Sequence, residues 1–174
     1  MWYVVWTRTG QEEKVLQVCR KKITDQEAFE ECFLPKYEKA WKENGKWGKK
    51  EAVLFPGYLF FITENPDKLF WELNKVPEVT KILGDGEKPI PLYPHEIEFL
   101  KKYTDPDHVM EMSTGDLIGG QLVVTDGPLK DYQGKVVHID RRKREATLEL
   151  EFFGRTTRIK VGLEVVRKVN GDEG

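Results

Sequence analysis

The sequence predicts an α+β fold in two parts: an N-terminal domain whose antiparallel sheet is sandwiched by helices, and a small C-terminal five-stranded β-barrel. Three observations carry this reading. Over residues 1–103, stretches of strand character alternate with stretches of helical period. Residues 104–116 are polar and acidic with little periodicity, as a linker would be. From 117 to 174, short β-branched runs follow one another, separated by turn residues.

The chain opens with Trp2-Tyr3-Val4-Val5-Trp6-Thr7, aromatic and β-branched, which predicts a buried strand. Arg8-Thr9-Gly10 turns into a helix over 11–22. There Val15, Val18 and Cys19 share one face, with acids at its start and bases at its end. Residues 29–40 read as extended, with Pro35 at an edge, and Asn44-Gly45 and Trp47-Gly48 form a basic hairpin tip. Pro56-Gly57 interrupts the apolar run 53–62. Pro66 suits the first turn of a helix over 68–75. A short strand near 79–83, a Gly84-Asp85-Gly86 turn and a helix over 94–103 complete the first domain. Beyond the linker, strands are expected at 122–125, 135–140, 147–151, 156–161 and 165–169, with residues 141–144 as a basic turn. Gly127 and Gly134 read as tight turns, where glycine admits positive φ.

At 174 residues, 39% hydrophobic and 11% aromatic, the composition is that of a globular chain. No run approaches the roughly 20 apolar residues of a membrane span. The N-terminus lacks a basic stretch followed by an apolar one, so a cytoplasmic protein is expected. Cys19 and Cys32 are the only cysteines, too few for a disulfide scaffold or a cysteine-rich zinc site. Enzyme chemistry finds no support: Gly134-Lys135 lacks the glycine a phosphate loop needs, because Leu129 stands five residues earlier. His95, His108 and His138 lie far apart, and there is no Gly-x-Ser-x-Gly nucleophile turn. No catalytic residue, metal or cofactor is implied.

Net charge is −2, but it is unevenly spread. Residues 1–110 hold 17 Lys and Arg against 19 Asp and Glu. Residues 141–168 hold nine basic residues (Arg141, Arg142, Lys143, Arg144, Arg155, Arg158, Lys160, Arg167, Lys168) against four acids. Phosphate attraction acts over about 8–10 Å in physiological salt, so local density counts. A solvated charged face and a nucleic-acid surface are both open at this point.

Two stretches carry a recognisable pattern. The first part contains Trp2-Tyr3-Val4-Val5, then Phe55-Pro56-Gly57-Tyr58-Leu59-Phe60 and Val76-Pro77-Glu78-Val79. The second runs from Val124-Thr125-Asp126-Gly127-Pro128-Leu129-Lys130-Asp131-Tyr132-Gln133-Gly134-Lys135-Val136 to Phe152-Phe153-Gly154-Arg155-Thr156-Thr157. In this order and spacing they resemble the NusG family of transcription elongation factors over nearly the whole chain. The resemblance implies an N-terminal NGN domain (1–103) and a C-terminal KOW domain (117–174). It implies a monomer whose NGN domain binds the clamp helices of the RNA polymerase β′ subunit through Phe55, Tyr58 and Phe60, with Trp6 nearby. Strand alternation puts Tyr58 and Phe60 on one face and Leu59 and Phe61 on the other, so one pair is expected to be exposed.

In housekeeping members the KOW domain binds a small-subunit ribosomal protein or the termination factor Rho. The matching positions here are Leu129, Tyr132, Phe152, Phe153, Gly154 and Arg155, although Leu129 and Tyr132 replace expected phenylalanines. The basic cluster departs further from that pattern. If Ile159 and Val161 point inward, Arg158 and Lys160 share the outer face about 6.6 Å apart, close to phosphate spacing. With Arg141, Arg142, Lys143, Arg144 and Arg155 they make the expected RNA-binding set. Aromatic residues for base stacking are nearly absent from this stretch, so shape and backbone recognition of an RNA hairpin is expected. Within the family the chain resembles the specialised LoaP group: a basic KOW domain, a short linker and a start almost directly at Trp2. That resemblance implies an operon-specific processive antiterminator recruited by a structured leader RNA hairpin; the housekeeping elongation factor is the alternative. Arg8, Lys36 and the lysines of the 42–50 tip are further candidates for nucleic-acid contact, including non-template DNA.

Overall fold

A computed structural model of the chain describes residues 1–83 and 88–170 and divides it into two compact units, 1–35 with 55–99, and 36–54 with 100–174. Mixed α/β and β-rich parts are both present, as expected. The first unit is built on a four-stranded antiparallel sheet in the order β2-β5-β1-β6, comprising β1 (Trp2–Trp6), β2 (Glu31–Phe33), β5 (Tyr58–Ile62) and β6 (Ile90–Pro91). β1 and β5 run side by side with Trp2 opposite Ile62 and Trp6 opposite Tyr58.

One face of that sheet carries α1 (Glu12–Lys22), α2 (Pro66–Asn74) and α3 (Pro77–Leu83). Val5, Leu59 and Phe61 from the strands meet Val15, Leu16, Cys19, Leu69, Leu73, Val76 and Val79 in one core. Pro66 opens α2, and the Asn65 side chain accepts from the Lys68 N–H at 3.2 Å, a capping bond. Both cysteines are buried and unbridged, and burial together with the neighbouring Cys19 pushes the Cys32 thiol well up. The segment 79–83 is helical, not a strand. Its β-branched residues suggested extension, but Pro77 fits a first helical position and the Val76 carbonyl accepts from Thr80 at 3.0 Å. The Gly84-Asp85-Gly86 turn lies outside the described residues.

The second unit combines a hairpin and a five-stranded sheet. The hairpin pairs β3 (Lys36–Glu43) with β4 (Lys46–Val53) around Asn44 and Gly45, both at positive φ (52° and 77°), the two-residue turn that Asn-Gly favours. β7 (Val109–Met110) lies parallel beside β3. The five-stranded sheet has the order β10-β11-β12-β8-β9: β8 (Ser113–Ile118), β9 (Gln121–Asp126), β10 (Val136–Asp140), β11 (Glu145–Phe152) and β12 (Arg155–Val169). Ala146, Leu148, Leu150 and Phe152 alternate with polar residues along β11 and pack with Ile159, Val161 and Leu163 of β12 in the interior.

Five strands were expected here, and five occur, from different residues. The runs 156–161 and 165–169 belong to one 15-residue strand, β12, whose first part pairs with β11 and whose last part pairs with β8. The fifth strand is β8, drawn from residues read as linker. The sequence Ser113-Thr114-Gly115-Asp116 lacks apolar alternation because the strand is held by backbone pairing on both sides. Among the described residues no ladder joins β9 to β10, so the sheet is not closed by hydrogen bonds into a barrel. Gly127 has φ +102°, as its turn demands, whereas Gly134 sits in a 3-10 turn without positive φ.

α4 (Pro94–Tyr103) ends against the Pro128–Asp131 turn: the Tyr103 hydroxyl donates to Asp131 at 2.8 Å, and its ring meets Tyr132 edge-on. This hydrogen bond, then the charge of Lys102, holds the Asp131 carboxyl below its usual range. A carboxyl depressed in the folded state stabilises above its ordinary value and loses that contribution as pH falls. Tyr103→Phe should therefore move the Asp131 titration upward in a carbon-detected NMR series and flatten the stability loss below about pH 4. An unmoved Asp131 titration would show that the hydroxyl does not set it.

Candidate nucleic-acid interface and aromatic face

The basic turn between β10 and β11 is shaped by its own backbone. Asp140 Oδ1 accepts from the Lys143 N–H at 2.9 Å, and Arg144 takes φ 55° before the strand resumes at Glu145. The carboxyl of Asp140 is held low by that N–H and then by the Lys143 charge, so its hydrogen-bonding capacity is directed at the turn. Arg141, Arg142 and Lys143 point into solvent, and Arg141 and Arg142 form no ion pair among the described residues.

The rest of the expected RNA-binding set is not one cluster. Arg158 lies opposite Glu149 across the β11–β12 ladder and donates to it at 3.0 Å. Glu149 therefore interrupts the paired-phosphate spacing that Arg158 and Lys160 would otherwise offer, while Lys160 faces Thr147. Arg155 stands at the far end of the same hairpin, seven residues of β11 and about 23 Å from the basic turn. Arg167 pairs with Asp116 at 3.4 Å.

The turn gains neighbours that the sequence did not reveal. Gly162 of β12 approaches the Glu38 carbonyl so closely that a Cβ would sit 2.4 Å from it, bringing the β3–β4 hairpin onto the sheet. Glu145, buried at the base of the turn, accepts from the Tyr37 hydroxyl at 3.3 Å and from Lys39 Nζ at 3.2 Å. Burial and that carboxylate push the Tyr37 hydroxyl far up. The Arg144 guanidinium lies 3.9 Å from the centre of the Trp47 ring and 3.6 Å from Glu164. A glycine inside a strand pattern is the one sequence signal of such an approach.

The residues expected to contact polymerase are also less exposed than the strand alternation suggested. Alternation separates Tyr58 and Phe60 from Leu59 and Phe61, but both pairs are buried: Tyr58 is 6% exposed, Phe55 2% and Phe60 0%. Phe60 meets Phe33 at 5.6 Å and Phe55 at 5.7 Å, and Phe33 in turn meets Trp2. Trp6 alone of the four is exposed, at 51%, edge-on to Tyr58 at 5.8 Å. Of the residues matching a protein-binding KOW surface, Leu129 and Phe152 are core, each 2% exposed or less. Tyr132 packs on Tyr103, Phe153 occupies the left-handed region at φ 58°, and Arg155 is exposed. No group of three metal-ligating side chains forms, and no helix is long and apolar enough to cross a membrane, among the described residues.

The family model for the transcription termination factor NusG matches residues 1–101. The chain belongs to the NusG family. Its members are non-enzymatic transcription factors of the termination and antitermination class. The transcription termination/antitermination protein NusG of Staphylococcus carnosus is 29% identical over 97% of this chain and 95% of its own. Its Rickettsia felis counterpart is also 29% identical, over 96% and 89%. A solved structure of Thermotoga maritima NusG aligns at a TM-score of 0.49 and 23% identity, over 92% of each chain.

Proposed function

We propose that this family member is an operon-specific processive antiterminator of the LoaP kind: its N-terminal NGN portion binds RNA polymerase at the β′ clamp helices, and its basic KOW portion binds a structured leader RNA hairpin. The carrying observation is the solvent-projecting turn Arg141-Arg142-Lys143, whose two guanidinium groups form no ion pair with a carboxylate among the described residues. Arginine forks held out on a short turn suit phosphate oxygens. On the polymerase side Trp6 supplies an exposed aromatic anchor of the sort that dominates protein interfaces. Contact by Phe55, Tyr58 or Phe60 would require their face to be uncovered first.

The full chain is the proper reagent, since a cut at residue 117 would remove most of β8. Titration with the hairpin leader of the protein's own operon, against an unstructured RNA of equal length, should show hairpin-selective binding that weakens steeply with salt. Arg141→Ala with Arg142→Ala should lower the log–log salt slope by about 1.5, two phosphate contacts' worth. Equal, feeble binding of both RNAs would overturn this reading. The housekeeping alternative would then stand, with a ribosomal protein or Rho as the partner of the KOW portion.

A further inference from the structure

We propose that Trp47 is a stacking platform for an unpaired RNA base, so that the RNA-binding surface spans the β3–β4 ribbon as well as the basic turn. This extends the RNA-binding reading above and rests on it. Sequence alone put stacking aromatics away from the basic residues. The fold brings one to them: Trp47 lies 97 positions from Arg144 in sequence and 3.9 Å from its guanidinium in space.

All of residues 41–50 are exposed, including Trp41 at 46% and Trp47 at 42%. An indole left in water at the end of a ribbon contributes little to a core, since its apolar area is not removed from solvent. Here each indole is held by cations instead. Lys50 Nζ lies 3.3 Å from the Trp41 ring centre, and Lys42, directly across the ladder from Trp47, lies 5.8 Å from that ring. Arg144 is itself steadied by Glu164 at 3.6 Å. Over 36–53 the ribbon has six lysines against three glutamates, and residues 140–145 have four basic residues against two acids. Flat aromatic faces set among cations are the chemistry that single-stranded nucleic acid recognises: bases stack on the rings while phosphates meet the charges. A base laid on Trp47 would continue a guanidinium–indole stack. Its phosphates would fall toward Arg141, Arg142 and Lys143, which are within three residues of Arg144 and so within about 10 Å along the backbone.

The test uses two fluorescent RNA probes with one identical stem. One carries an eight-nucleotide loop of ordinary unpaired bases, the other the same loop made abasic, with every phosphate kept. The full chain should bind the base-bearing loop about tenfold or more tightly, as one to two stacked bases imply. Trp47→Ala should abolish that preference without changing the salt slope, and Trp47→Phe, which keeps a ring, should retain most of it. The Arg141→Ala, Arg142→Ala double variant should weaken both probes alike. Equal wild-type affinity for the two loops, or a preference that survives Trp47→Ala, overturns the platform while leaving salt-dependent RNA binding standing. Failure of the wild-type chain to bind either probe overturns the platform and the RNA-binding reading together. A Trp47→Phe variant that loses the preference with its circular dichroism unchanged also counts against stacking.

Discussion

Gly127→Ala is expected to destabilise the second unit by about 3–5 kcal/mol, read as a fall in its urea midpoint. Two separate costs act there. Gly127 has φ 102° and ψ 177°, a backbone region open to glycine and strained by 1–3 kcal/mol or so for other residues. A Cβ at this position would also lie 2.5 Å from Ser113 Oγ and 2.6 Å from Ser113 Cα. Backbone on that side cannot swing away as a flexible side chain could, because Ser113 begins β8 and its hydroxyl accepts from the Leu129 N–H at 3.0 Å. Overpacking of this sort typically adds about 1–3 kcal/mol. For a domain whose whole stability is about 5–15 kcal/mol, the loss approaches unfolding. Gly134→Ala is the matched control: nothing lies within 4 Å of its Cβ position and its φ is ordinary, so it should be neutral or slightly stabilising. Equal midpoints for the two variants would contradict the geometry of the Gly127 turn.

That contrast also shows what was legible in the sequence. Both glycines look alike in the motif, and only backbone conformation separates them. Local signals read correctly: Asn44-Gly45 as a hairpin turn, Pro66 as a helix start, and the alternation of Leu148 and Leu150 with Glu149 and Glu151 as a half-buried strand. Signals that depend on a distant partner did not. β8 has little apolar pattern of its own and exists because β9 and β12 supply its hydrogen bonds. Gly115 admits a close approach there, with a Cβ position 2.8 Å from the Val123 carbonyl. Charge density along 141–168 was visible, but its division was not. Whether Arg158 is available depends on a register that sets it opposite Glu149, and Arg155 is separated from the turn by the length of β11. The indole beside Arg144 is a contact between distant segments, beyond the reach of any local period.

Phe60→Ala should cost the first unit about 3–5 kcal/mol, the range for a truncated buried phenylalanine. Phe60 is fully buried, is paired to Val4 across the β1–β5 ladder and to Phe33 across the β2–β5 ladder, and has aromatic neighbours on two sides. The cavity left behind cannot be filled by a small shift, because strands on both sides fix the backbone. Tyr58→Ala should also destabilise, since that side chain is 6% exposed and supports Trp6 edge-on. Loss of polymerase association in either variant would thus mix unfolding with lost contact. Trp6→Ala separates them. With half its surface in solvent, Trp6 should cost less than about 1.5 kcal/mol on truncation, yet weaken polymerase binding severalfold if it anchors the clamp. Thermal unfolding and polymerase affinity, measured on the same three variants, should therefore rank them oppositely for Trp6 and Phe60. A Phe60→Ala protein as stable as wild type would mean that this aromatic face is open in solution, and polymerase contact through Phe55, Tyr58 and Phe60 would need no uncovering step.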